Sequence, residues 1–249
     1  MPRLRDEFNL SSKIKYLFWR LNGSKHSISC VMRNGGVLQL RPKPTDDLAL
    51  AYEIFIEKVY AIPNTFPQYK DINYIVDLGA NIGYSCLYWC LNYPNAKVLA
   101  FEPHPLHVDI LNKHLEINNI KDKVTVVSKA VGVQDTTSCI TDCGINSALT
   151  EDSHGKGIRV PVVDFYKLSH PKQIDLLKMD IEGTEYDILN HAHFGDLDIR
   201  LCVFEWHTKS GVVGIKSWCV DRLKYCGYNR IEHHANFSDD FGLIWASRD

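Results

Sequence analysis

The 249-residue sequence has no run of apolar residues long enough to cross a membrane, which takes roughly 18 to 20 residues. Its first ten residues, MPRLRDEFNL, carry charges where a secretory signal peptide would have an apolar segment. We therefore expect a protein without a membrane span that is located in the cytoplasm.

The sequence also lacks a large excess of charge of one sign, since its formal net charge is −2 at pH 7. Proteins that bind nucleic acids usually carry a basic face, so we expect no nucleic-acid partner. With 45% hydrophobic residues, the chain can bury a sizeable core. These features favour an ordinary globular protein and leave its oligomeric state open.

Cysteine pairs of the close CxxC type are absent as well. The eight cysteines include two pairs with a four-residue spacing, Cys86 with Cys90 and Cys139 with Cys143. A zinc site built from these two pairs is one interpretation. Because Cys86 and Cys90 fall on the apolar face of a predicted helix, we favour buried, reduced thiols.

From residue 73 onward, short β-rich runs alternate with helical segments, an order typical of a parallel sheet covered by helices on both faces. Strands are predicted at 74–76, 97–101, 123–127, 174–179 and 200–205, and helices at 84–91, 105–118 and 184–191. A helix that ends at Tyr225 is followed by predicted strands at 228–232 and 242–246. Their short polar link predicts an antiparallel pair, and the polar insert at 136–161 is expected to form loops or a hairpin.

Residues 1–65 do not follow this alternation. We predict that they form an N-terminal cap on a domain that comprises residues 66–249. A hairpin around Asn34-Gly35 and a helix over residues 46–60 are predicted within the cap.

An apolar stripe at helical spacing lies near the start of the cap, formed by Ile14, Leu17, Phe18 and Leu21. Packing of the stripe against the rest of the domain is the commoner explanation of such a pattern. Contact with a membrane surface is the alternative.

The first strand of the alternating region runs into the turn Asp77-Leu78-Gly79-Ala80-Asn81-Ile82-Gly83, at the strand end where ligands bind in an open parallel sheet. The middle glycine of the dinucleotide pattern GxGxxG, which admits a pyrophosphate, is missing. The Asp77 carboxylate would repel phosphates and suit an ammonium group, and the glycines would let the backbone approach a ligand. A cationic, phosphate-free cofactor therefore fits the turn better than NAD. The residues expected to bind it here are Asp77, Gly79, Ala80, Asn81, Gly83 and Tyr84.

Glu102 ends the next predicted strand, nineteen residues after Gly83. At that position an acid can accept hydrogen bonds from both hydroxyls of a ribose, so Glu102 supports an adenosine ligand. Pro103 would stiffen the turn that follows. Ser128 to Gly132, after the third strand, should run beneath the adenine, and Lys129 and Ala130 are the residues of this segment expected to bind the cofactor.

Several longer motifs make the chain resemble the FkbM family of methyltransferases. The motifs are DLGANIGYS at 77–85, AFEPHP at 100–105, the spaced Asn112 and Asn118, KAVG at 129–132 and LLKMDIEGTEYDIL at 176–189. The resemblance implies an α/β, Rossmann-like class I methyltransferase fold, with a mostly parallel seven-stranded sheet whose last strand is antiparallel. It also implies S-adenosylmethionine as methyl donor and a hydroxyl of a small molecule or saccharide as acceptor.

Methyl transfer to a hydroxyl needs a group that takes up the hydroxyl proton, and a carboxylate, a histidine or a metal ion can do so. Asp180 ends the fourth predicted strand, beside the place where the methyl group should emerge, and Glu182 follows it. Glu205 and His207 end the fifth strand. Because neighbouring parallel strands bring their carboxyl ends together, we expect these side chains to act as the base or to bind a divalent ion such as Mg²⁺. Asp180 and Glu205 are the candidate metal ligands, and Asp180 also belongs to the expected cofactor site.

Other roles for the charged residues around Asp180 stay open. Glu182 and Glu185 can instead cap the start of a helix. Lys178 lies on the same face of its strand as Asp180 and can pair with it. His104 and His107 can line the cleft.

At the level of function, oxygen is favoured over nitrogen as the acceptor, because the NPPY-type turn of enzymes that methylate exocyclic amines is absent. The alternatives are an NAD-type oxidoreductase, which the missing glycine opposes, and a catalytically silent module that binds S-adenosylmethionine. The family pattern further suggests a lid formed by Tyr60, Asp46 and Asp47.

Overall fold

The structure, a computed structural model, describes residues 3–67, 69, 71–140, 149–150, 157–169, 171–207, 214–236 and 241–248. Its α-helices are α1 (Leu10–Leu21), α2 (Asp47–Tyr52), α3 (Tyr84–Asn92), α4 (Pro105–Ile117), α5 (Glu185–Asn190) and α6 (Ile215–Tyr225). Its strands are β1 (Ile28–Val31), β2 (Val37–Leu40), β3 (Tyr74–Leu78), β4 (Lys97–Phe101), β5 (Val124–Val127), β6 (Ala130–Gly132), β7 (Thr136–Ile140), β8 (Leu149–Thr150), β9 (Ile158–Asp164), β10 (Gln173–Met179), β11 (Asp198–His207), β12 (Arg230–Asn236) and β13 (Phe241–Ser247).

Seven of the strands form the central sheet, in the order β12-β13-β11-β10-β3-β4-β5. The five strands from β11 to β5 are mutually parallel, and β13 lies antiparallel between β11 and β12. This confirms the predicted α/β fold, with a mostly parallel seven-stranded sheet and an antiparallel last strand.

The apolar sequence of the central elements explains where the core lies. Four of the five residues of β3 are buried, as expected for a strand with layers on both sides. In α3 every residue from Tyr84 to Cys90 is buried, so this helix packs between the sheet and the N-terminal region. Pro105 opens α4 at a position where its missing N–H leaves no hydrogen bond unmade. Because β3, β4 and β10 are parallel, their carboxyl ends lie at the same edge of the sheet.

The insert after β5 forms a second, four-stranded sheet in the order β6-β9-β7-β8. The insert was expected to form loops or a hairpin, whereas β9 pairs antiparallel with β7 and parallel with β6, so its described strands belong to a larger sheet. Residues 141–148 and 151–156 of the insert lie outside the described part of the chain.

In the N-terminal region, the predicted hairpin is present as β1 and β2. The helix predicted over residues 46–60 is shorter than expected, because α2 ends at Tyr52 and a wider π-type turn follows over Glu53–Glu57. Lys58, with a left-handed φ of 55°, ends the helical path. The boundary between cap and domain at residue 65 remains a prediction, and buried residues on both sides of it belong to one hydrophobic cluster.

The expected packing of the apolar stripe on α1 is wrong. Ile14, Leu17, Phe18 and Leu21 are all exposed, whereas the helix packs on the protein through its other face, with Ser12 and Trp19 buried. The physical reason is that Trp19 and Tyr16 already supply an aromatic anchor beside Phe8, so the aliphatic stripe faces away from the domain.

All cysteines that the structure describes are free and buried, which agrees with reduced thiols. The zinc interpretation also needs Cys143, which lies outside the described residues. Among the described residues, no helix has the length and apolar character that crossing a membrane requires.

Candidate functional site

The glycine turn after β3 is held in place by its neighbours on the sheet. A Cβ atom on Gly79 would lie 1.8 Å from the Asp180 carbonyl oxygen, so the turn needs glycine there because β10 approaches closely. Gly83 packs in the same way against Leu111 of α4. The glycines were predicted to let a ligand approach the backbone. At Gly83 the absence of a side chain instead lets α4 pack closely against the turn.

Asp77 does not face the cleft. Its side chain is fully buried, with Oδ1 3.2 Å from Nζ of Lys178 and Oδ2 accepting a hydrogen bond from Nε1 of Trp89. The expectation that Asp77 contacts the ammonium group of a cofactor is thus wrong in this structure, because the lysine of the adjacent strand already provides the ammonium partner.

A cleft opens between the glycine turn and the ends of β4 and β10, and we call it the glycine-turn cleft. It is lined by Gly79, Asn81, Phe101, Glu102, Pro103, His107, Lys129, Ala130, Val131, Asp180, Ile181, Glu182 and Thr184. Seven of the predicted cofactor residues are thereby brought together: Gly79, Asn81, Glu102, Pro103, Lys129, Ala130 and Asp180. The other four, Asp77, Ala80, Gly83 and Tyr84, lie behind the cleft; the Tyr84 hydroxyl, for example, donates to the Gln39 carbonyl of β2.

Glu102 is oriented by two backbone donors. Its Oε2 accepts from the amide of Asn81 at 2.8 Å and its Oε1 from the amide of His104 at 2.8 Å. His107 Nδ1 lies 3.4 Å from the same Oε1. The carboxylate is therefore fixed in the cleft wall, with lone pairs left to accept from a ligand.

A second cavity of about 270 Å³ adjoins the first, and we call it the acidic cleft. It is lined by Leu50, Glu53, Tyr60, Asn81, Asp180, Glu182, Glu205, His207 and Phe241. Asn81, Asp180 and Glu182 line both clefts. The predicted acceptor-side residues Asp180, Glu182, Glu205 and His207 do converge, and they do so where the two clefts meet.

The turn after β10 presents Glu182 to both clefts. Glu182 adopts a left-handed φ of 55°, and Glu185 holds the turn by accepting from the amides of Ile181 and Gly183, both at 2.7 Å. Glu185 is fully buried, and burial raises its pKa to about 7. Glu185 therefore binds amides of the turn that precedes α5 and does not cap the helix itself as expected, whereas Glu182 lines the cleft.

Crowded carboxyl groups dominate the electrostatics of the acidic cleft. Burial, together with the nearby carboxylate of Asp180, raises the pKa of Glu205 to about 10 and those of Glu53 and Glu182 to about 7. Glu205 and Asp180 are hydrogen-bonded to each other. Glu205 therefore carries the proton of this pair at neutral pH, because two adjacent carboxylates disfavour ionisation of both.

His207 closes the other side of the acidic cleft. Its Nε2 lies 3.7 Å from Glu182 Oε2 and 3.8 Å from Glu205 Oε1. Burial lowers the pKa of His207 even though Asp180 acts in the opposite direction, so the ring is neutral at pH 7. The hydroxyl of Tyr186 accepts a hydrogen bond from the His207 amide at 3.0 Å. The imidazole ring of His207 lies nearly parallel to the ring of Phe241.

Lys178 lies next to Asp180, which lines both clefts. It is buried, donates to the carbonyls of Leu78 and Gly79, and lies 3.8 Å from Asp180 Oδ2. Burial by itself lowers its pKa, but the neighbouring Asp77 and Asp180 raise it more, so the ammonium stays charged. The predicted pairing of Lys178 with Asp180 is present, although its shorter contact is with Asp77.

The predicted metal ligands do not fit a metal ion. Across the described residues, no three His, Cys, Asp or Glu side chains are arranged so that they could hold one. Asp180 instead lies 3.8 Å from the Lys178 ammonium and interacts with the side chain of Glu205.

Several residues that line the clefts could not be identified from the sequence. Leu50, Glu53 and Phe241 belong to segments with no motif, and only the folded cap and the last hairpin bring them to the cleft. Of the predicted lid, Tyr60 does line the acidic cleft. Asp47 is instead buried in an ion pair with Arg41 at 2.7 Å, and Asp46 lines neither cleft.

Comparison with known proteins decides the family. The model of the methyltransferase FkbM domain matches residues 77–229, which is more than half of the chain. The chain belongs to the FkbM methyltransferase family. The matched region of this FkbM methyltransferase includes the glycine turn, Glu102, and the ends of β10 and β11, so it contains most of the residues that line the two clefts.

Individual relatives agree with this assignment. Methyltransferase sdnD of Sordaria araneosa is 28% identical over 236 residues, covering 79% of this chain and 88% of that protein. Methyltransferase 1 of Beauveria bassiana is 30% identical over 182 residues, covering 60% of this chain and 71% of the relative. The crystal structure of methyltransferase FkbM from Methylobacillus flagellatus shares the fold, with a TM-score of 0.55 at 14% identity, over 98% of this chain and 56% of that longer chain.

Proposed function

We propose that this FkbM methyltransferase transfers a methyl group from S-adenosylmethionine to a hydroxyl group of a small molecule or saccharide. The observation that carries the proposal is the junction of the two clefts at Asp180. A donor in the glycine-turn cleft and an acceptor in the acidic cleft would meet there, as an in-line displacement requires.

The glycine-turn cleft fits the donor in its polar groups. Glu102 offers fixed carboxylate oxygens to ribose hydroxyls, and Oδ1 of Asn81 is buried without a hydrogen-bond partner among the described residues, so it can accept from the ammonium group. The carboxylates of Asp180 and Glu182 would repel the pyrophosphate of NAD but favour a sulfonium cation. When bound, S-adenosylmethionine supplies the electrophilic methyl group.

The acidic cleft fits a hydroxylated acceptor. Its carboxyl groups can accept hydrogen bonds from hydroxyls, and its volume of about 270 Å³ is slightly below the roughly 300–1,000 Å³ of most small-molecule pockets, which favours a small acceptor. Asp180, at the junction, orients the reacting hydroxyl. Neutral His207 takes up the proton at Nε2 as the oxygen–carbon bond forms, and the adjacent Glu182 and Asp180 stabilise the resulting imidazolium.

Calorimetry tests the donor half of the proposal. We expect S-adenosylhomocysteine to bind and NAD not to bind at the same concentrations. Tight binding of NAD without binding of S-adenosylhomocysteine would establish the oxidoreductase alternative instead.

A screen for methyl uptake by hydroxylated small molecules and glycans tests the acceptor half, and turnover of any of them excludes a catalytically silent module. With an acceptor in hand, Asp180→Asn and His207→Gln should each lower kcat by at least about 100-fold, the usual scale of acid–base catalysis. Their affinities for S-adenosylhomocysteine should stay within about tenfold of the wild-type value, roughly 1.4 kcal/mol. Full activity in His207→Gln would remove its role as base. Since Mg²⁺ was an expectation from sequence, turnover with and without a chelator is the matching control.

A further inference from the structure

The N-terminal helix α1 has two apolar faces, and only one of them is used within the protein. Trp19 is buried and its indole donates to the His26 carbonyl at 2.5 Å, while Ser12 accepts from the amide of Val31 at 2.8 Å. This face attaches the helix to the β1–β2 hairpin.

The opposite face of α1 is exposed and aliphatic. It is formed by Leu10, Ile14, Leu17, Phe18 and Leu21, which we call the exposed α1 face. At 3.6 residues per turn these side chains fall within an arc of roughly 100°, which is the width of an apolar stripe on an amphipathic helix. Leu10 and Leu21, at the two ends of the helix, are 76% and 82% exposed, so the stripe is open along its whole length.

Basic side chains border the exposed α1 face on both sides. On the helical wheel Lys13 and Arg20 lie on one flank and Lys15 lies on the other. Beyond Arg20, a groove of about 560 Å³ is lined by Arg3, Arg5 and Arg20, with Leu17 at its edge. Arg5 Nε in this groove is buried and has no hydrogen-bond partner in the described part of the chain, and its nearest carboxylate oxygen, on Asp6, is 4.0 Å away.

This cationic border contrasts with the rest of the chain. Residues 1–33 contain seven Lys and Arg against two Asp and Glu, a formal charge of +5, whereas the whole chain has −2. The remaining residues therefore carry −7. Five of the seven basic residues lie on α1 or line the groove beside it: Arg3, Arg5, Lys13, Lys15 and Arg20. Together with the exposed aliphatic face, they form the combination that places amphipathic helices in the interface of anionic bilayers.

We propose that α1 docks this protein on an anionic lipid bilayer. The exposed α1 face enters the boundary between headgroups and acyl chains, and Arg3, Arg5 and Arg20 bind lipid phosphates in the adjoining groove. A second copy of the chain is a poorer occupant, because a two-fold contact through this face would set the same cationic border against itself.

The position of α2 relates this surface to the clefts. Leu48, Ala49 and Tyr52 line the same groove as Arg3, Arg5 and Arg20, whereas Leu50 and the adjoining Glu53 line the acidic cleft. The docking surface and the cleft therefore share one short helix, while no residue of the exposed α1 face lines either cleft. The docking proposal consequently does not depend on the proposed methyl transfer and is tested separately.

Co-sedimentation of the full chain with vesicles is the test. We expect binding to vesicles of phosphatidylcholine with phosphatidylglycerol, weaker binding to pure phosphatidylcholine, and a decrease in binding as salt rises. Leu21→Glu should weaken binding by about tenfold or more, because it removes an inserted side chain and adds a repelled charge. Its matched control is Tyr225→Glu, at the last residue of α6 and also 82% exposed, which should bind as the wild type does.

A second pair of variants tests the charged border. Arg20→Glu should weaken binding to the anionic vesicles by about tenfold or more, and Lys224→Glu on α6 should not. Arg20, Leu21, Lys224 and Tyr225 are all solvent-exposed, so we expect the four variants to fold. Melting temperatures equal to that of the wild type will verify this. The proposal is overturned if the wild type stays in the supernatant, or if Leu21→Glu binds as well as Tyr225→Glu. It is also overturned if sedimentation velocity shows a wild-type dimer that Leu21→Glu dissociates while vesicles are not bound, since the occupant is then a second copy.

Discussion

At Gly79 the backbone of the glycine turn passes so close to β10 that even a methyl group has no room. The added Cβ would lie 1.8 Å from the Asp180 carbonyl oxygen, and the φ of +82° is itself costly for a residue with a side chain. We expect Gly79→Ala to lower the free energy of unfolding by about 2–5 kcal/mol, from the left-handed backbone plus overpacking. Urea unfolding followed by circular dichroism measures this loss.

Gly227→Ala separates the two causes. Gly227 has nearly the same φ, +86°, but apart from its chain neighbours no atom of the described residues lies within 4 Å of an added Cβ. Its substitution should therefore cost only the backbone component, about 1–2 kcal/mol. Equal losses in the two variants would contradict the close approach at Gly79.

Glu205 predicts a specific dependence of stability on pH. In the folded protein its pKa is raised to about 10, against an ordinary value of 4.5. Since the folded state keeps a proton that the unfolded chain releases, this contribution to stability is complete below about pH 4.5 and is lost as pH rises toward the folded pKa. Glu205→Gln cannot ionise, so its melting temperature should rise relative to that of the wild type as pH increases from 5 to 9. The corresponding difference in the free energy of unfolding has an upper limit of about 1.4 kcal/mol per pH unit.

The control for Glu205 is an exposed glutamate. Glu116 on α4 pairs with Lys121 at the surface, and Glu116→Gln should follow the wild-type pH curve. If the Glu205→Gln curve runs parallel to the wild type over the whole range, the carboxyl is not protonated in the folded protein.

Sequence patterns identify single residues only where the fold fixes their direction. Asp180 and Glu205 were predicted because strand ends in a parallel sheet converge, and the sheet register follows from the apolar strands. Asp77 shows the opposite case, since its partner Lys178 lies 101 positions away and a turn acid can face either the ligand or the core. Glu53 could not be predicted, because its place in the acidic cleft depends on how the cap folds over α3.

Among the elements, the hairpin is attached to the domain by α4. Asn118 accepts from the amide of Val37 and donates to its carbonyl, and His114 accepts from the amide of Gln39 at Nε2 while its Nδ1 contacts the Ile82 carbonyl at 2.7 Å. Polar side chains thereby satisfy the free edge of β2, an edge that would otherwise expose unpaired backbone groups.

This attachment should weaken in acid. Burial lowers the pKa of His114 below its ordinary 6.5, and protonation of Nε2 would remove its acceptor for Gln39. With a depressed folded pKa, the stabilisation is present above about pH 6.5 and is lost as pH falls through the folded value. Exchange of the Gln39 amide hydrogen should accelerate there relative to that of Val76 in the central sheet.

Asn118→Ala is the companion variant for this prediction. It removes the bonds to Val37 at a cost of about 1–3 kcal/mol but takes away no titrating group. The acid response of the Gln39 amide should therefore persist in Asn118→Ala and disappear in His114→Gln. Persistence in both would locate the responsible group elsewhere.

Elements were predictable to the extent that local periodicity determines them. β4 was predicted at its observed bounds, and the order of strands and helices followed from alternating apolar runs. The apolar stripe of α1 was assigned to the interior for the same reason, and that was wrong. Periodicity shows that a face is apolar, but what covers the face depends on tertiary packing, and here Trp19 and Tyr16 take the interior position.

In the molecule as a whole, the N-terminal region and the central sheet line the acidic cleft together. The acidic cleft takes Leu50, Glu53 and Tyr60 from the N-terminal region and Glu205 and His207 from β11. The glycine-turn cleft takes its residues from the domain alone, between Gly79 and Thr184. Donor binding should therefore be a property of the sheet edge, and changes in the acidic cleft should leave it intact.

Ligand-linked stability measures this division. If S-adenosylhomocysteine binds only the folded state, a concentration of about 100 times Kd adds about 2.7 kcal/mol, which for a chain of this size raises the melting temperature by roughly 5–10 °C. Glu102→Ala removes the cleft carboxylate that we propose accepts from the ribose hydroxyls, and it should abolish most of that shift. Because Glu102 also binds two backbone amides, its own melting temperature will fall, so the increment on adding ligand is the quantity to compare.

His207→Gln is the counterpart on the acidic side. Its side chain lines the acidic cleft and not the glycine-turn cleft, so the increment with S-adenosylhomocysteine should equal that of the wild type. If the rise in melting temperature with S-adenosylhomocysteine is lost in His207→Gln and retained in Glu102→Ala, the donor binds in the acidic cleft and not in the glycine-turn cleft. An equal increment with NAD in the wild type would instead show that the acid-lined turn accepts a pyrophosphate, against the repulsion that Asp180 and Glu182 should impose.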